Sequence, residues 1–341
     1  MRKLASVQRI IGIEPILGSD KIEMAKVLNW HCIVKKGEFN VGDYVVYFET
    51  DAIPPDLPDF DFLRGKHNKV KPIKARRIRG MVSQGLVMPI SIIEGLDISE
   101  PYGVEKYDPV EIVTTNGMVS GKRPEFIIKS DETRVQAYSD EIFNLLQGNS
   151  FDVTEKIDGT AFTCYIKDDR IGMCSRNSMI SLETTSPFTY VYKFYDLGSR
   201  MRQLRLKYGY DIAIQGELIG RGIQGNKYGL KDFDVYLYNV IRLDTQEQFG
   251  LMDTNGINDT AGMLGIKTVP YLGDILMNNT VDDLVLRSSA MSLLKPDQPR
   301  EGIVLRMRKL DLDRFQHKRY FNERVSFKVI NPNFLCPGIS E

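Results

Sequence analysis

The text Glu155-Lys156-Ile157-Asp158-Gly159-Thr160 places an amine and a carboxylate two residues apart, at the end of the β-like run FDVTEK and at an Asp-Gly turn. As local structure this is ordinary: Asp-Gly is a common turn dipeptide, and Lys156 would then be a strand-end surface charge. As chemistry it offers a nucleophile beside an acid. A lysine attacks only as the neutral amine, so its pKa must fall from about 10.4 through burial or nearby positive charge. Two further acids, Glu217 in IAIQGELIG and Glu301 in EGIVL, sit among apolar neighbours. Carboxylates embedded in such strands are costly unless paired or near a metal. A separate run, Arg64, Lys66, Lys69, Lys71, Lys74, Arg76, Arg77 and Arg79, sets eight cations within sixteen residues, with no acid between Asp61 and Glu94. It reads either as a solvated edge strand guarded against pairing or as a groove for a phosphate backbone.

Downstream of the lysine come Ser175-Arg176-Asn177, then GELIG from Gly216, VYLYN from Val235, EGIV from Glu301 and SFKV from Ser326. This succession resembles the covalent nucleotidyltransferase superfamily of RNA ligases, DNA ligases and mRNA capping enzymes, whose motifs I, Ia, III, IIIa, IV and V run in this order. The resemblance implies that Lys156 attacks the α-phosphorus of ATP, forming a lysyl-AMP phosphoramidate and releasing pyrophosphate. It implies that Asp158, Glu217 and Glu301 hold Mg²⁺ or Mn²⁺, largely through metal-bound waters, with Glu217 also facing the nucleotide. Such ions take few carboxylates and keep much of their water shell. Glu155 matches the reader of the adenine amino group, which favours ATP over GTP. Tyr238 matches the base-stacking residue, with Tyr236 its rival. Arg176 is expected near the ribose and the incoming phosphate, and Arg134 on the β- or γ-phosphate. Lys328 is expected on the α-phosphate, where its charge stabilises the transition state and helps depress the Lys156 pKa. The family pattern has a lysine where this chain has Ser326; Arg324 or Lys318 is the expected replacement.

Within the superfamily, DNA ligases usually carry an arginine where this chain has Ala161. DNA ligases and capping enzymes also carry an OB domain after motif V, whereas thirteen residues follow Lys328 here. At the other end, RRIRGMVSQGLVMP, with SDKIEMAKV and VGDYVVYFE, resembles the tRNA-binding OB modules of some aminoacyl-tRNA synthetases. An amino-terminal OB domain ahead of the nucleotidyltransferase resembles the RNA ligase 5 type. That likeness implies ATP-dependent joining of RNA 3′-hydroxyl and 5′-phosphate ends in a nicked duplex or tRNA-like RNA, with Lys71, Lys74, Arg76, Arg77 and Arg79 on the RNA. Arg200, Arg202, Arg205 and Lys207 are either further backbone contacts or a solvated helix face. A non-catalytic RNA-binding protein and a ligase acting on DNA are the alternatives.

The elements that must position these residues are legible in outline. From Ala25 to Ile90 short runs, AKVLNWHCIV, YVVYFET and GLVMPI among them, are punctuated by turns such as Gly42-Asp43, which favours an OB-type β-barrel. Further on, β-rich runs alternate with helical ones, TYVYKFYDLGSRMRQLRLKYG and SAMSLLK among them. The class is therefore α+β: an OB-fold domain over 1–105, a connector over 106–150 packing on the second domain, and a mixed α/β nucleotidyltransferase (ATP-grasp-like ligase) domain over 151–341. The 341 residues carry 45 Lys+Arg against 45 Asp+Glu, which excludes a uniformly cationic coat and leaves charge placement decisive. No stretch approaches the ~20 apolar residues of a membrane span, and no signal peptide is apparent. Four cysteines without a CxxC pair and three scattered histidines provide no zinc set. A monomer in a reducing intracellular compartment, cellular or virus-encoded, is expected.

Overall fold

The computed structural model describes residues 4–95, 103–106, 118–321 and 324–336. The 96–102 stretch at the expected domain boundary and 107–117 of the expected connector lie outside the described residues.

The amino-terminal sheet has the order Trp30–Lys35, Ile22–Val27, Ala5–Pro15, Tyr44–Phe48, Leu86–Pro89. The long Ala5–Pro15 strand serves two partners: Ala5 to Arg9 pair with Tyr44–Phe48, and beyond a bulge at Ile10/Gly12 the rest pairs with Ile22–Val27. A bulge adds local twist, and here it turns a flat ribbon into a curled half-barrel. The curl is drawn together at its open side by Ser83 and Gln84, whose Oγ and amide N–H meet the Ile33 amide (3.0 Å) and the His31 carbonyl (2.8 Å). The run AKVLNWHCIV, read as one strand, folds back at Leu28-Asn29 into two, with Leu28 at φ 51°. Inside, Trp30 and Tyr47 are fully enclosed, and Phe48 is enclosed on the opposite face of its strand against Phe60, each contributing about 1.5–3 kcal/mol.

Two sheets build the second half. The larger runs Val119–Lys122, Ser178–Ile180, Arg170–Cys174, Thr160–Lys167, Ile212–Gly220, Phe233–Arg242, Gln248–Phe249, with Lys267–Thr268 beside Phe233–Arg242. The smaller runs Thr133–Arg134, Ser326–Ile330, Gly302–Met307, Ser150–Lys156, Tyr271–Leu276. Helices Pro187–Phe194, Leu197–Tyr208 and Ile257–Leu264 cover one face of the larger sheet and share its core with Phe162, Ile214 and Leu237. Helix Val281–Ser288 packs on the smaller sheet with Phe151, Val153 and Phe327. Strands from the expected connector therefore complete both sheets.

Two helical expectations are corrected. The run TYVYKFYDLGSRMRQLRLKYG is two helices, broken where Asp196 takes φ 45°. SAMSLLK is not helical: it makes an isolated bridge, Met291 to Pro299, and spends its polar groups on a neighbouring strand.

Candidate active site

A cavity of about 320 Å³ opens between the two sheets. Strand alternation decides what faces it, because successive side chains point to opposite faces. From Ser150–Lys156 come Asp152, Thr154 and Lys156, and the paired positions of Gly302–Met307 and Ser326–Ile330 send Val304, Arg306 and Lys328. The larger sheet contributes Thr160, Ala161, Glu217 and Tyr238, and the turn after Arg170–Cys174 contributes Arg176 and Asn177.

Lys156 ends its strand with Nζ donating to Glu301 Oε2 at 2.7 Å. The Asp158-Gly159 turn behind it is pinned to the opposite sheet by the Gly159 amide, which donates to Glu217 Oε1 at 3.0 Å. A Cβ at Gly159 would lie 2.4 Å from the Leu218 carbonyl oxygen, so glycine is required by close approach. Lys156 thus stands among Glu301, Glu217 and Asp158. Burial alone pulls its pKa down, but the attraction of these three carboxylates and the Glu301 hydrogen bond outweigh it, and the ammonium is held above its ordinary value. Sequence reasoning required a fall; in this arrangement the amine is protonated. Burial in turn pushes Glu217 up to about 8, against the pull of Lys156, and raises Glu301 as well. Three half-buried carboxyl groups thus crowd one lysine, and their mutual repulsion adds to the upward push on Glu217 and Glu301.

Tyr238 is the extra residue in a register shift between Gln215 and Gly216, which turns it into the cavity, its hydroxyl 2.8 Å from Ser130 Oγ. Tyr236 instead packs with Ile157, Ile219 and Val269, under the Lys267 ammonium. Arg176 lines the cavity and pairs with Asp131 at 2.9 Å. Lys328 lines it too, directly across from Val304.

Three expectations meet a different geometry. The Glu155 carboxylate is 1 % exposed and accepts from Ser292 Oγ (2.5 Å) and the Leu293 amide (2.8 Å). Glu155 borders the cavity, but alternation along its strand turns the carboxylate away from the face that Lys156 shares and onto these two donors. Arg134 does not line the cavity: it donates to Thr50 Oγ1 at 2.7 Å, lies 3.7 Å from Asp51 and covers the Trp30 ring, docking the amino-terminal domain. Ser326 is buried, and its Oγ has no hydrogen-bond partner among the described residues. It lines a smaller polar cavity with Lys129, Thr133 and Arg324, the last paired with Glu132. Arg324 thus stands beside Ser326, whereas Lys318 lines neither cavity.

Arg306 is a cavity residue that sequence reasoning missed. Its guanidinium donates to the Phe249 and Tyr238 carbonyls at 3.0 Å each, and burial lowers its pKa to about 10. The signal was available, since Arg306 stands in the apolar run GIVLRM just as Glu217 stands in its own. Arg123 is a second, held on the Ser175, Ile127 and Ile128 carbonyls.

Of the basic run, Lys66, Lys69, Lys71, Lys74, Arg76 and Arg79 are exposed. Arg79 donates to the Gly18 carbonyl (2.8 Å), Arg77 reaches Asn333 Oδ1 of the carboxyl-terminal helix (2.9 Å), and Arg64 pairs with Asp56 and Asp61. In the Leu197–Tyr208 helix, Arg205 pairs with Asp169 and Asp211.

An OB-fold domain ahead of a two-sheet domain, with a lysine among carboxylates in the cleft, is the build of a polynucleotide ligase. The chain belongs to the RNA ligase family, whose model matches residues 149–330, and an OB-fold domain model matches residues 4–90. Among solved structures it is similar to the RNA ligase of Naegleria gruberi with PPi, at 30 % identity over 98 % of both chains and a TM-score of 0.82. Single-residue variants of that ligase, one with ATP and Mn and one with AMP and Mn, match at TM-scores of 0.83 and 0.82, again at 30 % identity and 98 % of both chains. No curated protein matches the chain.

Proposed function

We propose that this RNA ligase is ATP-dependent and seals RNA 3′-hydroxyl and 5′-phosphate ends in a nicked duplex or tRNA-like RNA, with Lys156 as the nucleophile. The observation that carries the reading is Lys156 at the cavity-facing end of its strand, ringed by Glu301, Glu217 and Asp158, with Lys328 and Arg306 on the same face. The ligands of the Naegleria gruberi structures support ATP and a divalent ion.

In the first step the Lys156 nitrogen attacks the α-phosphorus, an N–P bond forms and the bond to pyrophosphate breaks. The amine's proton has an acceptor at hand in Glu301 Oε2. Lys328 faces the cleft from the strand beyond Gly302–Met307 and would offer its cation to the α-phosphate. Tyr238 offers the ring for the base, and Arg176 the guanidinium beside the ribose and the incoming end. AMP then passes to the RNA 5′-phosphate, and the 3′-hydroxyl displaces it; each step is an in-line displacement at phosphorus that one set of cations can serve.

The residues fit a divalent ion. Asp158, Glu217 and Glu301 gather three half-buried carboxyl groups around Lys156, yet among the described residues no three His, Cys, Asp or Glu side chains are close enough to hold a metal by themselves. That suits Mg²⁺ or Mn²⁺, which keep waters and share phosphate oxygens. When bound, the ion would neutralise charge developing on the phosphates. For the domains we propose the division 1–105, 106–150 and 151–341, with the middle segment packing on the second domain.

The test is incubation with α-labelled ATP and Mg²⁺ or Mn²⁺, read by denaturing gel and intact mass. Wild type should form a covalent AMP adduct and Lys156→Ala none. No adduct after pyrophosphate treatment to clear pre-bound AMP, with RNA binding intact, would favour the non-catalytic alternative. Comparing RNA with DNA 3′-hydroxyl strands separates RNA from DNA joining.

A further inference from the structure

The segment after the Ile212–Gly220 strand, RGIQGNKYGL, folds back over the Asp158-Gly159 turn. Gln224 and Asn226 take left-handed backbone, φ 46° and 50°. Asn226 closes the loop on itself, with Nδ2 donating to the Leu230 carbonyl (2.9 Å) and Oδ1 accepting from the Leu230 amide (3.1 Å). Three neighbouring side chains then reach the turn. Gln224 Nε2 donates to the Gly159 carbonyl at 3.3 Å, Tyr228 Oη accepts the Asp158 amide at 2.8 Å, and Lys227 Nζ donates to Asp158 Oδ2 at 2.6 Å. The Lys227 ammonium also lies 3.9 Å from the ring centroid of Phe334, in the Pro332–Leu335 helix.

We propose that Lys227 is a displaceable counter-ion for Asp158 that sets how readily the cleft takes up a divalent cation, with the Phe334 ring as the ammonium's resting place once that cation arrives. The inference rests on the reading of Asp158 as a metal-holding residue. The ammonium occupies one of the two oxygens through which Asp158 would face an ion or its waters, and two cations sharing one carboxylate repel. Lysine suits the part because its charge is a compact point on a flexible four-carbon stem, and this stem is 35 % exposed, with room to swing. An aromatic face holds an ammonium without carrying charge of its own, so the lysine can leave Asp158 without being stranded.

The test is Mn²⁺ binding to the full chain without nucleotide, by electron paramagnetic resonance, on wild type, Lys227→Met, Lys227→Gln, Phe334→Leu and Asp158→Asn. Asp158→Asn defines the sites that count. At those sites both Lys227 variants should bind Mn²⁺ about five- to tenfold more tightly, and Phe334→Leu about two- to threefold more weakly. Opposite signs are the signature, since general loosening of the loop would shift all three variants the same way. Unchanged or weaker binding in a folded Lys227 variant, a shift of all three in one direction, or Mn²⁺ binding indifferent to Asp158→Asn would overturn the proposal. Failure of the ligase reading would show separately, as a missing AMP adduct on wild type.

Discussion

At the residue scale, the side chain that must attack as a neutral amine is held charged by its surroundings. The nucleotide and its ion have to withdraw the influence of Glu301, Glu217 and Asp158 before Lys156 can react. Single-turnover adduct formation should therefore climb with pH, by up to about tenfold per unit below the amine's pKa in the complex. A flat profile between about pH 6 and pH 9 would mean that the amine is already neutral. Glu217 is a second pH-dependent group. Its folded pKa, about 8, lies above the unfolded carboxylate value of 4.5. Between those two values the folded state binds the extra proton, so stability from this group is full below the unfolded value and is lost as pH rises towards the folded one. Glu217→Gln should accordingly stabilise the metal-free protein near pH 8, by about 1–2 kcal/mol or a few degrees of Tm, and do little near pH 4. Melting curves at the two pH values check the sign.

At the scale of elements, the cleft depends on strand register. The shift at Gln215/Gly216 turns Tyr238 inward, and alternation along Ser150–Lys156 puts the Lys156 amine in the cavity and the Glu155 carboxylate on Ser292 and Leu293. Ser292 and Leu293 fail to form the expected helix because their hydroxyl and amide satisfy Glu155, a buried acid that would otherwise be orphaned. Glu155→Gln replaces one acceptor oxygen by a donor against those groups. It should cost about 1–3 kcal/mol in denaturant unfolding and leave the preference for ATP over GTP in adduct formation unchanged. A switch towards GTP would return Glu155 to the base pocket.

At the scale of the molecule, the two halves meet through Arg134 on Thr50 and Asp51, Asn29 on the Gln136 and Tyr138 carbonyls, and Arg77 on Asn333. Arg64, Arg77 and Arg79 of the basic run are partly spent on these and other internal contacts, which leaves Lys66, Lys69, Lys71, Lys74 and Arg76 as exposed cations, the last three of them proposed for RNA. Neutralising those three to alanine should reduce the slope of log K against log salt for RNA binding by about two to three, with adenylation little affected. An unchanged slope would place the RNA elsewhere.

The order of chemistry-bearing segments, through its resemblance to the covalent nucleotidyltransferases, proposed Lys156, Asp158, Glu217, Glu301 and Lys328 as candidates, and alternating turns and short strands announced a β-rich domain ahead of an α+β one. Motif order and the pattern of turns and apolar periodicity are properties of the linear chain. What a side chain faces is not local. Glu155 and Lys156 are neighbours on opposite faces of one strand, Arg134 points across a domain boundary, and Lys227 reaches Asp158 from 69 residues away. Register shifts, close approach at Gly159 and the pairing of distant charges arise only when the sheets pack together. The charge state of Lys156 was therefore decided by tertiary structure, because Glu217 and Glu301, brought in from two distant segments, join the neighbouring Asp158 in setting it.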